Sequence, residues 1–462
     1  MYAEDTIVAP ATPPGRGAVA IIRLSGPDAI EIARALWKPS HGDAPQSRRL
    51  ALGTIRDPAN GAPIDSAMAV FFLGPHSLTG EDVAELHCHG GVYLVRRVVG
   101  LALDRGARMA GAGEFTRRAF LNGRIDLTAA EAIADLVDAR GDRALGLALN
   151  QMAGALAVKA AAMRASLIAI RANLEVEIDF SEEDITLPPR DAMTDSLTRV
   201  IDDVVMLRDS FVRGRLMRSG ARAAIIGKAN SGKSSILNLM VGAERAIVTP
   251  IPGTTRDVIE ESISIDGYPI VIQDTAGVRE SADPVERIGI ARTHSRAEEA
   301  DLIIAVFDST RPLDSDDIAV AAIVAGRPAV AILNKSDLPA SIDDTALRGI
   351  GIGAPIVGLS AITGAGIENL RAQMGSRIEE LAGGTKTDSD RDVAISRERH
   401  RAALDQAAIA LGAALDSLLA GMPPEIIAVD IVIAGNALAA LTGEVSTEDV
   451  LDALFRNFCI GK

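Results

Sequence analysis

Cysteine is almost absent from this chain of 462 residues, which holds only Cys88 and Cys459. A single pair cannot make a disulfide framework, and such scarcity fits a reducing, cytoplasmic setting. Aromatic residues are only 3% of the chain, with one tryptophan, and the 48% apolar fraction is rich in Ala and Leu, the composition of a soluble globular protein. Positive charge is short: 47 Lys and Arg face 62 Asp and Glu, a net charge of -15. That balance weighs against broad electrostatic binding of nucleic acid and leaves room only for a local basic patch. No apolar run is long enough to cross a membrane without interruption, so no membrane partner is expected. The first residues, Met1-Tyr2-Ala3-Glu4-Asp5, are acidic and lack the basic opening of a secretory signal. The length exceeds what one core supports, and two to four domains are expected.

What is present is more specific. Gly227-Lys228-Ala229-Asn230-Ser231-Gly232-Lys233-Ser234 fits the phosphate-loop pattern G-x-x-x-x-G-K-[ST] at every fixed position. The apolar run Ala223–Ile226 leads into it and a helix-like run, Ser235 to Met240, leaves it, which is the context the motif needs. Its glycines let backbone N–H groups curl around a β-phosphate, and the new helix points its positive end at the same anion. Lys233 would reach the β- and γ-phosphates and the Ser234 hydroxyl would bind Mg²⁺.

The rest of the chain arranges itself around that loop. The first third reads as mixed α/β, with strand candidates at Ala18–Leu24 and Ala67–Leu73 and helical spacing from Pro27 to Trp37. From Leu127 an Ala-rich helical stretch runs to about Phe180, opened by a capping-box pattern at Thr128-Ala129-Ala130-Glu131. A second helix runs from Asp191 to Arg213. From about Ser219, short apolar strands alternate with helices, which implies a parallel sheet: Ala223–Ile226, Ile270–Gln273, Leu302–Phe307, Ala329–Leu333 and Ile356–Leu359. Gly383-Gly384-Thr385 marks its exit, and helices return from Ser396. A nucleotide-binding unit inserted in a helical domain accounts for that order.

Asp274-Thr275-Ala276-Gly277 follows a strand, so the carboxylate would hold Mg²⁺ through water and the Gly277 N–H would sense a γ-phosphate. Asn334-Lys335-Ser336-Asp337 follows another. Asp337 could accept from the N1–H and 2-amino groups of guanine, two donors that adenine lacks. Leu359-Ser360-Ala361 would meet the guanine oxygen through its backbone. Thr255, in Gly253-Thr254-Thr255-Arg256-Asp257, is the candidate second Mg²⁺ hydroxyl of a switch loop. Val278 stands where many small GTPases carry a water-positioning glutamine, so acidic residues further on, Glu286 foremost, are the candidates for that task. Asn230, with groups from residues 249–254, could hold a monovalent cation in place of an arginine finger, leaving Arg256 a structural switch-loop residue.

Taken together, G-K-A-N-S-G-K-S-S-I-L-N, A-I-V-T-P-I-P-G-T-T-R-D, D-T-A-G-V-R-E and N-K-S-D resemble the G domain of the TrmE-type (MnmE) tRNA-modification GTPase family. The resemblance covers the whole chain, from Asp5-Thr6-Ile7-Val8-Ala9 through Thr79-Gly80-Glu81-Asp82 and Gly113-Glu114-Phe115-Thr116 to Phe458-Cys459-Ile460-Gly461-Lys462. It implies α/β plus all-α architecture: a Ras-like P-loop G domain inserted in a helical domain, preceded by an α/β tetrahydrofolate-binding-like N-terminal domain. The expected boundaries are 1–120 for folate binding and dimerisation, 121–215 and 385–462 for the helical domain, and 216–384 for the G domain. The resemblance implies a GTP hydrolase that is a homodimer, forms a heterotetramer with the FAD-dependent MnmG protein, and adds an aminomethyl or carboxymethylaminomethyl group to C5 of the wobble uridine, position 34, of certain tRNAs. The one-carbon unit comes from 5-formyltetrahydrofolate or 5,10-methylenetetrahydrofolate, and G domains meet when K⁺ and GTP bind.

Carried over position by position, the K⁺ ligands match Asn230, Thr249, Ile251 and Thr254, the Mg²⁺ ligands Ser234 and Thr255, and the catalytic glutamate Glu286. Contacts with GTP or GDP are expected from Gly227, Asn230, Ser231, Gly232, Lys233, Ser234, Ser235, Thr249, Pro250, Ile251, Pro252, Gly253, Thr254, Thr255, Asp274, Thr275, Ala276, Gly277, Asn334, Lys335, Asp337, Ser360 and Ala361. Folate contacts match Arg23, Glu81, Arg124 and Lys462, a carboxylate for the pterin's donor edge and cations for the acidic tail. Arg124 stands where the family carries lysine, which keeps the charge and changes the geometry. His87-Cys88-His89 lacks a second ligand pair for zinc and reads as a strand end. Cys459 is either a small buried hydrophobe or a group near the folate. A ribosome-assembly GTPase is the competing reading, opposed by the acidic helical C-terminal region. A catalytically inactive scaffold is opposed by the intact Lys233, Ser234, Thr255, Asp274 and Asp337.

Overall fold

The structure, a computed structural model, describes residues 5–41, 46–179, 189–244, 261–274, 297–384, 393–445, 448–456 and 458–462. The chain divides into two units, Met1–Ala134 with Ala439–Lys462, and Asp135–Leu438.

The first unit is built on β1 (Ile7–Pro10), β2 (Gly17–Ser25), α1 (Ala29–Leu36), β3 (Trp37–Pro39), β4 (Ala51–Arg56), β5 (Pro63–Phe72), β6 (Val83–Gly90), α2 (Val92–Leu103), β7 (Arg108–Met109), α3 (Glu114–Leu121) and α4 (Leu127–Asp138). The strands form a seven-stranded sheet in the order β3-β4-β5-β6-β2-β1-β7, antiparallel except for the β1–β7 pair. Alternation explains its packing. Ile22, Leu24, Ala84, Leu86, Ala69 and Phe71 face a core closed by Ile32 and Leu36 of α1 and Val98 and Ala102 of α2. Trp37 ends the helical spacing and begins β3, and its indole N–H donates to the Ala67 carbonyl at 2.9 Å.

The capping box expected at Thr128–Glu131 is not the start of α4. Asp126 fills that place: its carboxylate accepts from the Ala129 N–H at 2.9 Å and from the Thr128 hydroxyl. A carboxylate there also meets the positive helix end, which a threonine hydroxyl cannot match. Thr128 and Glu131 are buried within the helix.

The Ala-rich stretch is three helices, α4 and, in the second unit, α5 (Asp142–Met152) and α6 (Ala155–Asp179), broken near Gly141 and Gly154. After α7 (Arg190–Asp209) and α8 (Phe211–Ser219) come β8 (Ala221–Gly227), α9 (Lys233–Glu244), β9 (Glu261–Ile265), β10 (Tyr268–Asp274), β11 (Leu302–Asp308), α10 (Ser315–Val324), β12 (Ala329–Asn334), α11 (Asp344–Gly349), β13 (Ile356–Leu359) and α12 (Ile367–Leu381). The helix α13 (Glu398–Leu419) follows, α14 (Pro424–Thr442) runs across the boundary at residue 438, and α15 (Glu448–Phe455) belongs to the first unit. Met193, Leu197, Val200, Val204 and Leu207 of α7 recur at helical spacing and pack toward the matching stripe Leu404, Ala407, Leu411, Ala414 and Leu418 of α13. By length and mean hydropathy, 1.4 and 1.7, α13 and α14 would pass for membrane spans. Alanine raises that average, while Asp405, Asp416 and Asp430 interrupt the apolar runs.

The inserted sheet has the order β13-β12-β11-β8-β10-β9. It is parallel except for β9, which pairs antiparallel with β10, so the sheet is mixed rather than purely parallel. Its central strands are buried on both faces, as helices on both sides require: every residue of β11 and β12 is buried. Chain order turns from one side of β8 to the other between β10 and β11, and a crevice at such a reversal is where open α/β sheets bind ligands.

Candidate functional site

Residues 227–233 turn from the carboxyl end of β8 into α9. Gly232 sits at φ +98°, and a Cβ there would collide with the Asn334 amide, so the close approach demands glycine. Asn230 takes φ +61°, which asparagine tolerates better than most residues. Lys233 Nζ donates to the Gly227 and Lys228 carbonyls of its own loop, at 2.9 and 2.6 Å. Ser231 is 1% exposed and its Oγ has no hydrogen-bond partner among the described residues. Ser234 and Ser235 stand exposed on the first turn of α9. A helix N-terminus, an ammonium resting on its own loop and an orphaned hydroxyl fit a phosphate chain, with Ser234 free to ligate the accompanying Mg²⁺.

Lys228 fastens the loop sideways. Its Nζ meets Asp314 at 2.8 Å and Asp317 at 2.7 Å, both in the capping box that opens α10. Burial works against its charge, and the two carboxylates outweigh that and raise its pKa.

Asn334, the last residue of β12, joins this loop to the two other nucleotide-facing segments. Its Nδ2 donates to the Ser231 carbonyl at 2.8 Å and its Oδ1 accepts the Ala361 N–H at 3.2 Å. Lys335 is held at φ +65°, a costly region for a long side chain. Two ties hold it there: its Nζ on Asp308 at 2.5 Å, and the Ser336 N–H on the Leu359 carbonyl at 3.2 Å. Burial pushes the Asp308 carboxyl up, but Lys335 and Thr310 outweigh it and hold the pKa below the ordinary value. Ser360 is fully buried and Asp337 is exposed at the rim. The backbone of Asp274 pairs with Ile225, one turn of chain from the phosphate loop. Thr249, Pro250, Ile251, Pro252, Gly253, Thr254, Thr255, Thr275, Ala276, Gly277 and Glu286 lie outside the described residues, as does the side chain of Asp274.

The first unit holds a second polar cluster. Arg23 Nε donates to Glu85 Oε1 at 2.8 Å, its Nη1 to the Gly461 carbonyl at 3.4 Å, and its guanidinium lies 5.6 Å over the Phe115 ring. The Phe115 N–H donates to the Lys462 carbonyl at 3.2 Å, and Ile460 bridges Ala112, so the C-terminal residues fold beside Arg23. The Arg124 stem packs near Gly80. Glu81 is paired with Arg118: both oxygens lie 3.1 Å from Arg118 Nη1, and Oε2 accepts the Ser25 hydroxyl at 2.6 Å. Arg118 is 1% exposed and also binds Asp5 and Glu114. The carboxylate beside Arg23 is therefore Glu85, which also meets His87 Nε2 at 3.2 Å. Cys88 is buried, its thiol pushed up to about 11 by burial, and His89 bonds Asp65 at 2.7 Å. Among the described residues no cluster of His, Cys, Asp or Glu has the makings of a metal site.

Comparison with known proteins decides the family. The profile of the GTP-binding protein TrmE N-terminus matches residues 6–124, and that of the MnmE helical domain matches residues 127–459. Proteins named tRNA modification GTPase MnmE are 41% identical over 462 residues in Geotalea uraniireducens and 43% over 466 residues in Geobacter sulfurreducens, each covering 100% of both chains. The Geobacillus kaustophilus relative of the same name is 41% identical over 464 residues and covers 99% of both. The chain belongs to the MnmE family.

In the terms of that family, the inserted sheet with its phosphate loop is a Ras-like G domain set in the MnmE helical domain, and the seven-stranded unit is the TrmE N-terminal domain. Sequence reasoning passed over Glu85, Arg118 and Lys228. Nothing in Thr116-Arg117-Arg118-Ala119 says which arginine is buried, since only the tertiary fold brings Asp5, Glu81 and Glu114 around one of them. Glu85 was detectable in principle, because Arg23 and Glu85 each occupy a strand position facing away from the apolar core.

Proposed function

We propose that this protein is a GTP hydrolase of tRNA modification. Its G domain would hold the phosphates on residues 227–235 and read guanine through Asp337, with Asn334 fixing the distance between the two. The observation that carries this reading is the pair of Asn334 hydrogen bonds, which fastens the phosphate loop and the Ser360-Ala361 loop to one residue of N-K-S-D. On this reading Lys233 leaves its carbonyl perch for the β- and γ-phosphates, and Gly232 and the α9 N-terminus place N–H groups around them. Mg²⁺, when bound, neutralises charge on the phosphate oxygens, and Ser234, Thr255 and Asp274 are the residues to hold it. Glu286 is proposed to orient the attacking water. Asn230, Thr249, Ile251 and Thr254 are proposed to bind K⁺, which spares the site an arginine finger.

The further reading follows the family. A homodimer would act with the FAD-dependent MnmG and tRNA in the cytoplasm, on C5 of uridine 34. The folate site would use Arg23, Arg124 and Lys462. Both carboxylates are paired, Glu81 with Arg118 and Glu85 with Arg23, and Glu85 is proposed for the pterin edge because it shares Arg23 with the C-terminal residues. GTP turnover in KCl against NaCl tests the cation: the reading expects hydrolysis in K⁺ well above that in Na⁺, and equal rates remove the K⁺ role. A Glu286→Ala variant with undiminished turnover would remove that residue from catalysis.

A further inference from the structure

The helical part of the second unit meets the G domain at a joint that the nucleotide site does not explain. Arg143, in the first turn of α5, donates from Nε to the Asp266 carbonyl at 2.8 Å and from Nη1 to the Tyr268 hydroxyl at 2.8 Å. The same Nη1 pairs with Glu379 of α12 at 3.2 Å, and the guanidinium lies 4.1 Å over the Tyr268 ring. The backbones close in as well. The Arg143 N–H donates to the Gly267 carbonyl at 3.4 Å. Gly267, at φ +79°, leaves so little room that a Cβ would meet Arg143 Cγ at 3.1 Å. Arg371 of α12 adds a bond to the Ser264 carbonyl at 3.1 Å. A planar fork that also stacks is a task for arginine alone.

Asp266 and Gly267 are the turn between β9 and β10. Among the described residues β9 is the edge strand of the sheet and pairs only with β10, so the turn is where the hairpin's position is set. From this anchor β10 runs seven residues to Asp274, roughly 20 Å at strand rise. β9 begins at Glu261, six positions after Thr255 in the sequence. One hairpin thus has its turn fastened to the helical domain and its far ends joined in sequence to the segment read above as supplying the second Mg²⁺ hydroxyl and to the one read as sensing the γ-phosphate.

We propose that Arg143 is a positioning residue for the nucleotide site, holding the β9–β10 hairpin so that the segments joined to its far ends bind a γ-phosphate more tightly. The proposal rests on the reading of Thr255 and Asp274 to Gly277 as γ-phosphate-facing. Contacts with the diphosphate and base come from residues of β8, α9, β12 and β13, none of which Arg143 itself bonds. Loss of Arg143 therefore weakens a triphosphate selectively and couples the helical domain to the nucleotide state.

The test uses the full-length protein and two probes, a non-hydrolysable GTP analogue and GDP, with affinities measured by calorimetry alongside GTP turnover and melting. Arg143→Ala is expected to raise the ratio of analogue Kd to GDP Kd by about tenfold, the effect of one charge-assisted hydrogen bond, and to lower kcat while GDP affinity holds. Arg143→Lys should recover only part of the ratio. Tyr268→Phe keeps the ring under the guanidinium and removes the hydroxyl that accepts from Arg143 and meets Glu379, so it should fold normally and shift the ratio in the same direction as Arg143→Ala, by a smaller factor. Unchanged ratios in all three variants, or GDP and analogue affinities falling together, would overturn the proposal and leave the nucleotide reading standing. A wild-type protein that binds neither GDP nor the analogue would overturn both.

Discussion

Replacing Asn334 with alanine attacks the feature that makes one site out of separate segments. The side chain is 2% exposed and makes two hydrogen bonds, to the Ser231 carbonyl and from the Ala361 N–H. Alanine removes both. Ser231 is buried, so its carbonyl keeps part of its desolvation penalty, on the order of 1–3 kcal/mol, while the half-buried Ala361 amide can recover a water and costs about 1 kcal/mol. The sum is about 2–4 kcal/mol, divided between the free protein and its grip on nucleotide. If half of it falls on binding, GDP affinity drops roughly five- to thirtyfold, because 1.4 kcal/mol is a factor of ten. Calorimetric titration of GDP into the full-length variant reads the binding share, and thermal melting reads the rest. Asn334→Ala with GDP affinity within twofold of wild type and an unchanged melt would refute the claim that this amide sets the spacing of the two loops.

Asp308→Asn weakens the tie that holds Lys335 in its left-handed conformation and should cost about 1–2 kcal/mol at neutral pH, discounted for the partial exposure of Lys335. The folded pKa of Asp308 is lowered, so its contribution is present above the unfolded value near 3.9 and lost as pH falls through the folded one. Denaturant melts should therefore show a wild-type advantage that is flat from pH 8 to about pH 5 and shrinks below about pH 4; an advantage that grows in acid would contradict the assignment. Arg23→Ala should weaken 5-formyltetrahydrofolate binding by about tenfold or more, the worth of a charge-assisted contact, and Glu85→Gln should weaken it further than Glu81→Gln does at equal melting temperature. Both effects should leave GTP turnover intact; folate binding that depends on Glu81 and ignores Glu85 would reverse the roles given to the two carboxylates.

The G domain was largely legible because its chemistry and its burial coincide. Strands buried on both faces read as unbroken apolar runs, and the runs at Leu302–Phe307 and Ala329–Leu333 fell within one residue of β11 and β12. β9 escaped notice because Glu261-Ser262-Ile263-Ser264-Ile265 alternates on a half-exposed edge, and with it went the mixed character of the sheet. The same cause hid most of the N-terminal sheet: β6 carries Glu85, His87 and His89 on its outer face, and no run of apolar residues announces it. The cap of α4 was misread by two residues because Thr128 and Asp126 are both capping types, and only the hydrogen bond to Ala129 separates them. Apart from the Glu114 contact, the Arg118 and Arg143 networks are held by long-range pairs, such as Glu81 with Arg118 and Glu379 with Arg143, and short-range patterns carry no trace of such pairings.

Competition between GDP and ADP for the full-length protein tests the central claim most directly. A carboxylate at Asp337 that pairs with two guanine donors predicts a preference for GDP of at least about a thousandfold, since a base lacking both donors leaves the acceptor unpaired. Comparable affinity for the two nucleotides would contradict the reading of N-K-S-D, and with it the function built on this site.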